Sequence, residues 1–89
     1  MTFEDLNFQP HPGDDGVQAL VFFPNGYGAS VIRTGFSYGG REGKYELAVL
    51  RGTEEDWDLC YDTPITSDVL GYLTPIDITA TLKLIEELK

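Results

Sequence analysis

The sequence predicts an α+β domain: an antiparallel meander sheet of four or five strands with one C-terminal helix packed on a face. Two observations carry this. Glycine-bearing breaks divide the first two thirds of the chain into strand-length runs rich in β-branched and aromatic residues. Beyond Thr74 the apolar period changes, with Ile78, Leu82 and Ile85 recurring at spacings of four and three.

Residues 6–9 form the first expected strand, closed by Pro10-His11-Pro12-Gly13, whose prolines cannot donate to a ladder, and by the turn chemistry of Asp14-Asp15-Gly16. Residues 17–23 follow. Val17, Ala19, Val21 and Phe23 fall on one side and Leu20 and Phe22 on the other, so both faces expect cover and the strand reads as central. Asn25-Gly26 is a hairpin signal, because both residues tolerate the positive φ of a type I′ turn, and residues 27–34 should return antiparallel. Residues 35–43 hold too much glycine for a regular interior, though their flanks can extend the neighbouring strands into a long hairpin.

Residues 45–51 place Tyr45, Leu47 and Val49 opposite Glu46, Ala48 and Leu50. After a turn over 52–56, Trp57, Leu59 and Tyr61 alternate with Asp58, Cys60 and Asp62, which reads as a strand with one apolar and one polar face. Thr66-Ser67-Asp68 either caps a single turn ending at Gly71 or precedes a short extra strand over 69–73. Thr74, Pro75 and Asp77 supply an N-cap, a proline at the first helical position and an acid three residues after the cap, so a helix over 75–88 is expected. One helix covers one face. Leu20, Phe22 and Ile32 on the other need loops and the amino terminus, or a second copy, to cover them.

Eighty-nine residues with a hydrophobic fraction of 42% suit one small domain spanning 1–89. Charge narrows the partners. Seven acids and no Lys or Arg lie between Gly52 and Leu82, whereas Arg33, Arg41, Lys44 and Arg51 are four of the six bases. A net charge of −9 and a pI near 4.2 oppose direct nucleic-acid binding and favour a protein with a basic surface, while also serving solubility. The single cysteine excludes an intramolecular disulfide and points to a reducing cytoplasm. The longest apolar run, 19–23, falls far short of the ~18 residues of a membrane span, and Glu4 and Asp5 do not suit a secretory signal.

The sequence shows no catalytic constellation, and neither a cofactor nor a metal is expected. His11 with Asp14 and Asp15 offers one imidazole and two loop acids, which reads as an exposed turn. Cys60 between Asp58 and Asp62 should have a raised pKa, the wrong direction for a nucleophile, and reads as a small, semi-buried filler. The glycine-rich stretch lacks P-loop spacing. Its Phe36, Tyr38, Arg41 and Lys44 suit either a contact loop or a long hairpin whose aromatics pack back on the sheet. Glu54, Glu55, Asp56, Trp57, Asp58, Asp62 and Asp68 form an acidic strip. On one strand face Asp58 and Asp62 would stand roughly 13 Å apart, near two phosphate intervals, so the strip can imitate a nucleic-acid backbone or simply be a solvated face.

The phrasing of residues 23–33, of Phe36-Ser37-Tyr38-Gly39, of 45–50 and of 59–66 resembles a group of small uncharacterised proteins of bacteriophages and prophages. That resemblance implies a phage setting and supplies no catalytic residues. The combined expectation is a non-enzymatic, acidic protein-interaction module, an inhibitor or accessory protein whose strip meets a basic host protein while Phe36, Tyr38 and Arg41 add orientation. The alternative is a structural homo-oligomer, a homodimer or a virion or assembly accessory protein, whose acids only confer solubility.

Overall fold

The computed structural model describes residues Met1–Lys89. Six strands and one α-helix succeed one another in chain order: β1 (Gln9–Pro10), β2 (Gly16–Phe22), β3 (Tyr27–Thr34), β4 (Tyr45–Thr53), β5 (Asp56–Leu59), β6 (Leu70–Leu73) and α1 (Pro75–Glu86). Every pairing is antiparallel, β1 to β5 forming a meander, so the architecture is the expected α+β layer pair. β5 and β6 share one edge of β4, the first opposite residues 50–53 and the second opposite Tyr45 and Leu47. Of the two readings for residues 66–73, the strand forms. No helix is long and apolar enough to cross a membrane.

The helix lies where its apolar stripe dictates. Ile78, Leu82 and Ile85 are fully buried against Ala29 and Val31 of β3 and Leu47 and Val49 of β4. Thr74 caps the start: its Oγ1 accepts the Asp77 N–H, and Asp77 accepts the Thr74 N–H in return, the reciprocal box the sequence predicts. Those bonds hold the Asp77 carboxyl below its ordinary pKa, the backbone N–H contributing most. The helix ends at Glu86, two residues early, yet Leu88 still packs on the core.

Its far end is held by a residue of the hairpin turn. The Asn25 amide Nδ2 donates to the carbonyls of Ile85 (2.8 Å), Leu88 (3.0 Å) and Glu86 (3.2 Å), while its Oδ1 accepts the Tyr27 N–H. One side chain therefore both shapes the β2–β3 turn and satisfies carbonyls that a helix end leaves free. The turn itself differs from the expected type I′. Only Gly26 has a positive φ, +86°, and its N–H donates to the Phe23 carbonyl across Pro24 and Asn25. Pro24 fixes the negative φ of a type I turn, so a three-residue loop with glycine in the left-handed position closes the hairpin.

The expected first strand over 6–9 shrinks to Gln9–Pro10, because Leu6 and Phe8 turn into the helix-side core instead of lying flat beside β2. Phe3, Phe8 and Tyr45 form an aromatic cluster with ring centroids 5.1 to 5.6 Å apart, and the Phe3 N–H donates to Thr79 of the helix. The amino terminus thus straps the covered face and sends only the polar Asn7 and Gln9 to the other.

That other face carries Leu20 and Phe22 of β2, Gly28, Ser30 and Ile32 of β3, Ala48 and Leu50 of β4, and Trp57 and Leu59 of β5, as the register requires. β2 and β5 lie three strand spacings apart, about 14 Å in a flat sheet. Yet the rings of Phe22 and Trp57 are 6.4 Å apart. The two rings reach towards each other and the β4–β5 hairpin leans across this face, bringing Glu54 beside Gln18 and Leu20 of β2, while Gly28, Ser30, Ala48 and Leu50 are buried. β2 lies between β1 and β3 but is flanked by β1 over only two residues, so β3 and β4 are the strands covered along their length, and Leu20 remains 42% exposed.

Replacing Asn25 by Asp keeps the turn acceptor but removes the donors aimed at three carbonyls. Asn25→Asp and Asn25→Ala should each cost about 1–3 kcal/mol, with Asp no better than Ala despite its shape, as read by urea denaturation.

Candidate functional site

The acidic strip divides between a hairpin and the chain beyond it. Thr53 pairs with Asp56 and Arg51 with Asp58, leaving Glu54 and Glu55 as a two-residue turn. Asp56 and Asp58 project from one side of the hairpin, and Trp57, half-buried opposite Gly52, from the side that meets Phe22. Glu54, Glu55, Asp56, Asp58 and Asp68 are exposed, and none makes an ion pair: the structure has two, Met1 amine to Glu86 and Arg51 to Asp62. The Asp68 carboxylate accepts the neighbouring Val69 N–H and otherwise faces solvent.

The sequence reading of β5 is corrected in two ways. The strand stops at Leu59, so Asp58 and Asp62 do not share a regular strand face. The alternation does not sort burial: of the nominally apolar set Trp57 is half-buried and Leu59 51% exposed, whereas the one fully buried residue, Cys60, comes from the polar set with Asp58 and Asp62 exposed. The helix-side core takes Cys60, and alternation cannot reveal which side the helix will choose.

Past Cys60 the chain leaves the sheet under a small polar brace. Arg51 Nη2 donates to Asp62 Oδ1 at 3.0 Å and to the Tyr27 hydroxyl at 3.4 Å, with the guanidinium 5.5 Å from the Tyr27 ring centroid. The Cys60 thiol donates to the same Asp62 oxygen at 2.9 Å. Burial first, then this bond to a carboxylate, raise the Cys60 pKa; the thiol's bond and then Arg51 lower that of Asp62. A depression of about 400 Å³ opens beside Arg51, Asp58, Cys60 and Asp62, but its thiol is held neutral and its guanidinium is engaged. The brace fixes the course of the chain and offers no activated nucleophile.

The Phe36 to Lys44 region is neither a long hairpin nor a platform for packed-back aromatics. Thr34 and Ser37 exchange four hydrogen bonds with the local backbone, a single 3₁₀ turn spans Gly40–Glu42, and Arg41 Nε donates to the Gly35 carbonyl. Phe36 is 81% and Tyr38 59% exposed. β6 bulges here: Gly71 and Tyr72 sit opposite the single residue between Tyr45 and Leu47, and Tyr72 takes a φ of +56°. Tyr72 donates its N–H to the Tyr38 carbonyl, and a Cβ on Gly39 would stand 2.9 Å from the Tyr72 Cα, so only glycine allows this approach.

The two halves of the predicted contact surface do not meet. Phe36, Tyr38 and Arg41 precede the start of β4, and Glu54 to Asp58 follow its end, nine residues away. At ~3.3 Å per residue the strand between them is about 26 Å long along its contour. His11, the remaining candidate, uses Nδ1 to accept the Gly13 and Asp14 N–H groups, which makes it a turn brace. Sequence reasoning missed Glu46, whose carboxylate accepts the Tyr38 N–H, and Tyr72; an aromatic residue beside Gly71 gave no signal of a bulge. No protein-family model, curated protein or solved structure matches the chain.

The buried, hydrogen-bonded thiol sets a kinetic and a pH expectation. At pH 8 folded Cys60 should react with iodoacetamide at least tenfold more slowly than in the urea-denatured chain. Because the fold keeps the proton that the unfolded chain releases near pH ~8.5, the stability from this site is complete below that pH and is lost above it, as pH rises through the raised folded pKa. The stability difference between the protein and Cys60→Ala, read from denaturation midpoints, should therefore be constant below about pH 8 and shift against the parent protein as pH rises above ~8.5.

Proposed function

We propose that this chain is a non-enzymatic acidic interaction module of phage type, an inhibitor or accessory protein that presents the β4–β5 hairpin to a basic surface of a host protein in the cytoplasm. The observation that carries the proposal is the uncompensated charge: Glu54, Glu55, Asp56 and Asp58 crowd one hairpin without a single ion pair. Self-repulsion among such groups falls when a cationic partner arrives, and complementary fields accelerate encounter and select against acidic competitors. Arg51, the only base on this hairpin, is already spent on Asp62. Phe36, Tyr38 and Arg41, at the other end of β4, fit a separate contact better than a share in this one.

The test changes charge and keeps shape. A variant with Glu54→Gln, Glu55→Gln, Asp56→Asn and Asp58→Asn should retain basic host proteins from a cytoplasmic lysate at least tenfold less well at 50 mM salt. Equal retention by variant and parent would sink the proposal.

The exposed Leu20 and Leu59 on the helix-free face favour a second reading, a structural homodimer closed over that face, in which the acids only maintain solubility. Under this reading sedimentation at tens of micromolar shows a dimer that Leu59→Asp dissociates and the charge-neutral variant does not. A monomer for the parent protein rejects it.

A further inference from the structure

β2 has an outer edge that the rest of the chain leaves largely unpaired. The Phe23 N–H donates to Tyr27, and the register with β3 then directs the backbone groups of Val17, Ala19 and Val21 towards β3. Those of Gln18, Leu20 and Phe22 point the other way. β1 meets this edge only at Val17 and Gln18, after which the chain before Gln9 turns aside to bury Phe8 and Leu6. Two N–H groups and two carbonyls, at Leu20 and Phe22, are left without a neighbouring strand. Exposed edges are commonly blunted by Lys, Pro or a bulge, and Leu20-Val21-Phe22 carries none of these.

Beside this edge, on the helix-free face, lies a groove of about 280 Å³ lined by Asn7, Gln9, Gln18, Leu20 and Glu54. The leaning β4–β5 hairpin brings Glu54 there, and Glu54 has no ion pair. An added residue opposite Leu20 would direct its side chain into the groove, since directly opposed residues share a face. The groove offers the Leu20 side chain for a methylene stem, then amide oxygens and a carboxylate for a cationic head, which fits Lys or Arg.

We propose that an extended basic segment of a partner protein adds as a strand to β2 at Leu20 and Phe22 and sets a Lys or Arg side chain against Glu54. This rests on the acidic-module reading and specifies how the partner is held. A second copy is the wrong occupant: its own β2 offers Leu20 where a cation is needed, and it brings a further net charge of −9.

The probe is the peptide acetyl-Val-Lys-Val-Lys-Val-Lys-Val-amide with the isotopically labelled protein, read by amide hydrogen exchange at 50 mM salt. Saturating peptide should slow exchange at Leu20 and Phe22 at least tenfold. N-methylation of alternate backbone nitrogens, which keeps the charge and removes ladder donors, should weaken binding at least tenfold, and Glu54→Gln about fivefold. Binding without protection at Leu20 and Phe22, or equal binding by the N-methylated peptide, overturns strand addition and leaves the acidic surface standing. Failure of every basic probe to bind overturns both. Protection of the same amides without peptide, together with a dimer in sedimentation, would assign the edge to a second copy and overturn the proposal.

Discussion

A single amphipathic helix has one apolar stripe, whereas a sheet has two faces to cover. That mismatch organises this molecule. The Ile78, Leu82 and Ile85 stripe seals the β3–β4 centre on one side, and the fold secures the helix at both ends, with Thr74 and Asp77 at the start and Asn25 at the finish. The other side is answered by the sheet itself, whose β4–β5 hairpin leans across it so that Trp57 meets Phe22 and Leu50 is buried. That lean covers the middle of the face and not its borders, so Leu20 and Leu59 stay open.

What was legible in the sequence was local. The helix start is a short-range device whose donors and acceptors lie within three residues, and Thr74, Pro75 and Asp77 announce it. Asn25-Gly26 marked the hairpin correctly and its turn type incorrectly, because the dipeptide rule omits the φ that Pro24 imposes. The larger role of Asn25 was out of reach: its helix partners lie 60 to 63 residues away, and no local pattern encodes such a contact. Cys60 shows the same limit from the side of packing. Alternation separates the two faces of a strand, but the identity of the buried face comes from the helix, so a residue flanked by acids ended in the core.

Of the candidate site, charge was legible and placement was not. The acids follow β4 and the bases Arg41 and Lys44 precede it, so nine intervening residues of extended chain convert a partition in sequence into one in space. The contour of about 26 Å compares with a Debye length of ~8 Å at physiological salt, and Arg41 and Lys44 make no ion pair with the hairpin acids, so these bases do little to neutralise the hairpin. Each end meets solvent or a partner on its own terms. The aromatic end is braced by side-chain bonds from Thr34, Ser37 and Glu46, so its exposed rings stand on an ordered backbone.

The lean of the hairpin also links charge to edge. Had the β4–β5 hairpin continued straight, Glu54 would project past the end of the molecule, far from β2. Because it leans across the helix-free face, an acid from one margin of the sheet stands over a groove at the other, beside backbone groups that β1 leaves free. Hydrogen-bonding capacity along an edge is indifferent to sequence, and a carboxylate alone is indifferent to conformation. Together they select for a chain that is both extended and basic, a narrower requirement than net charge imposes.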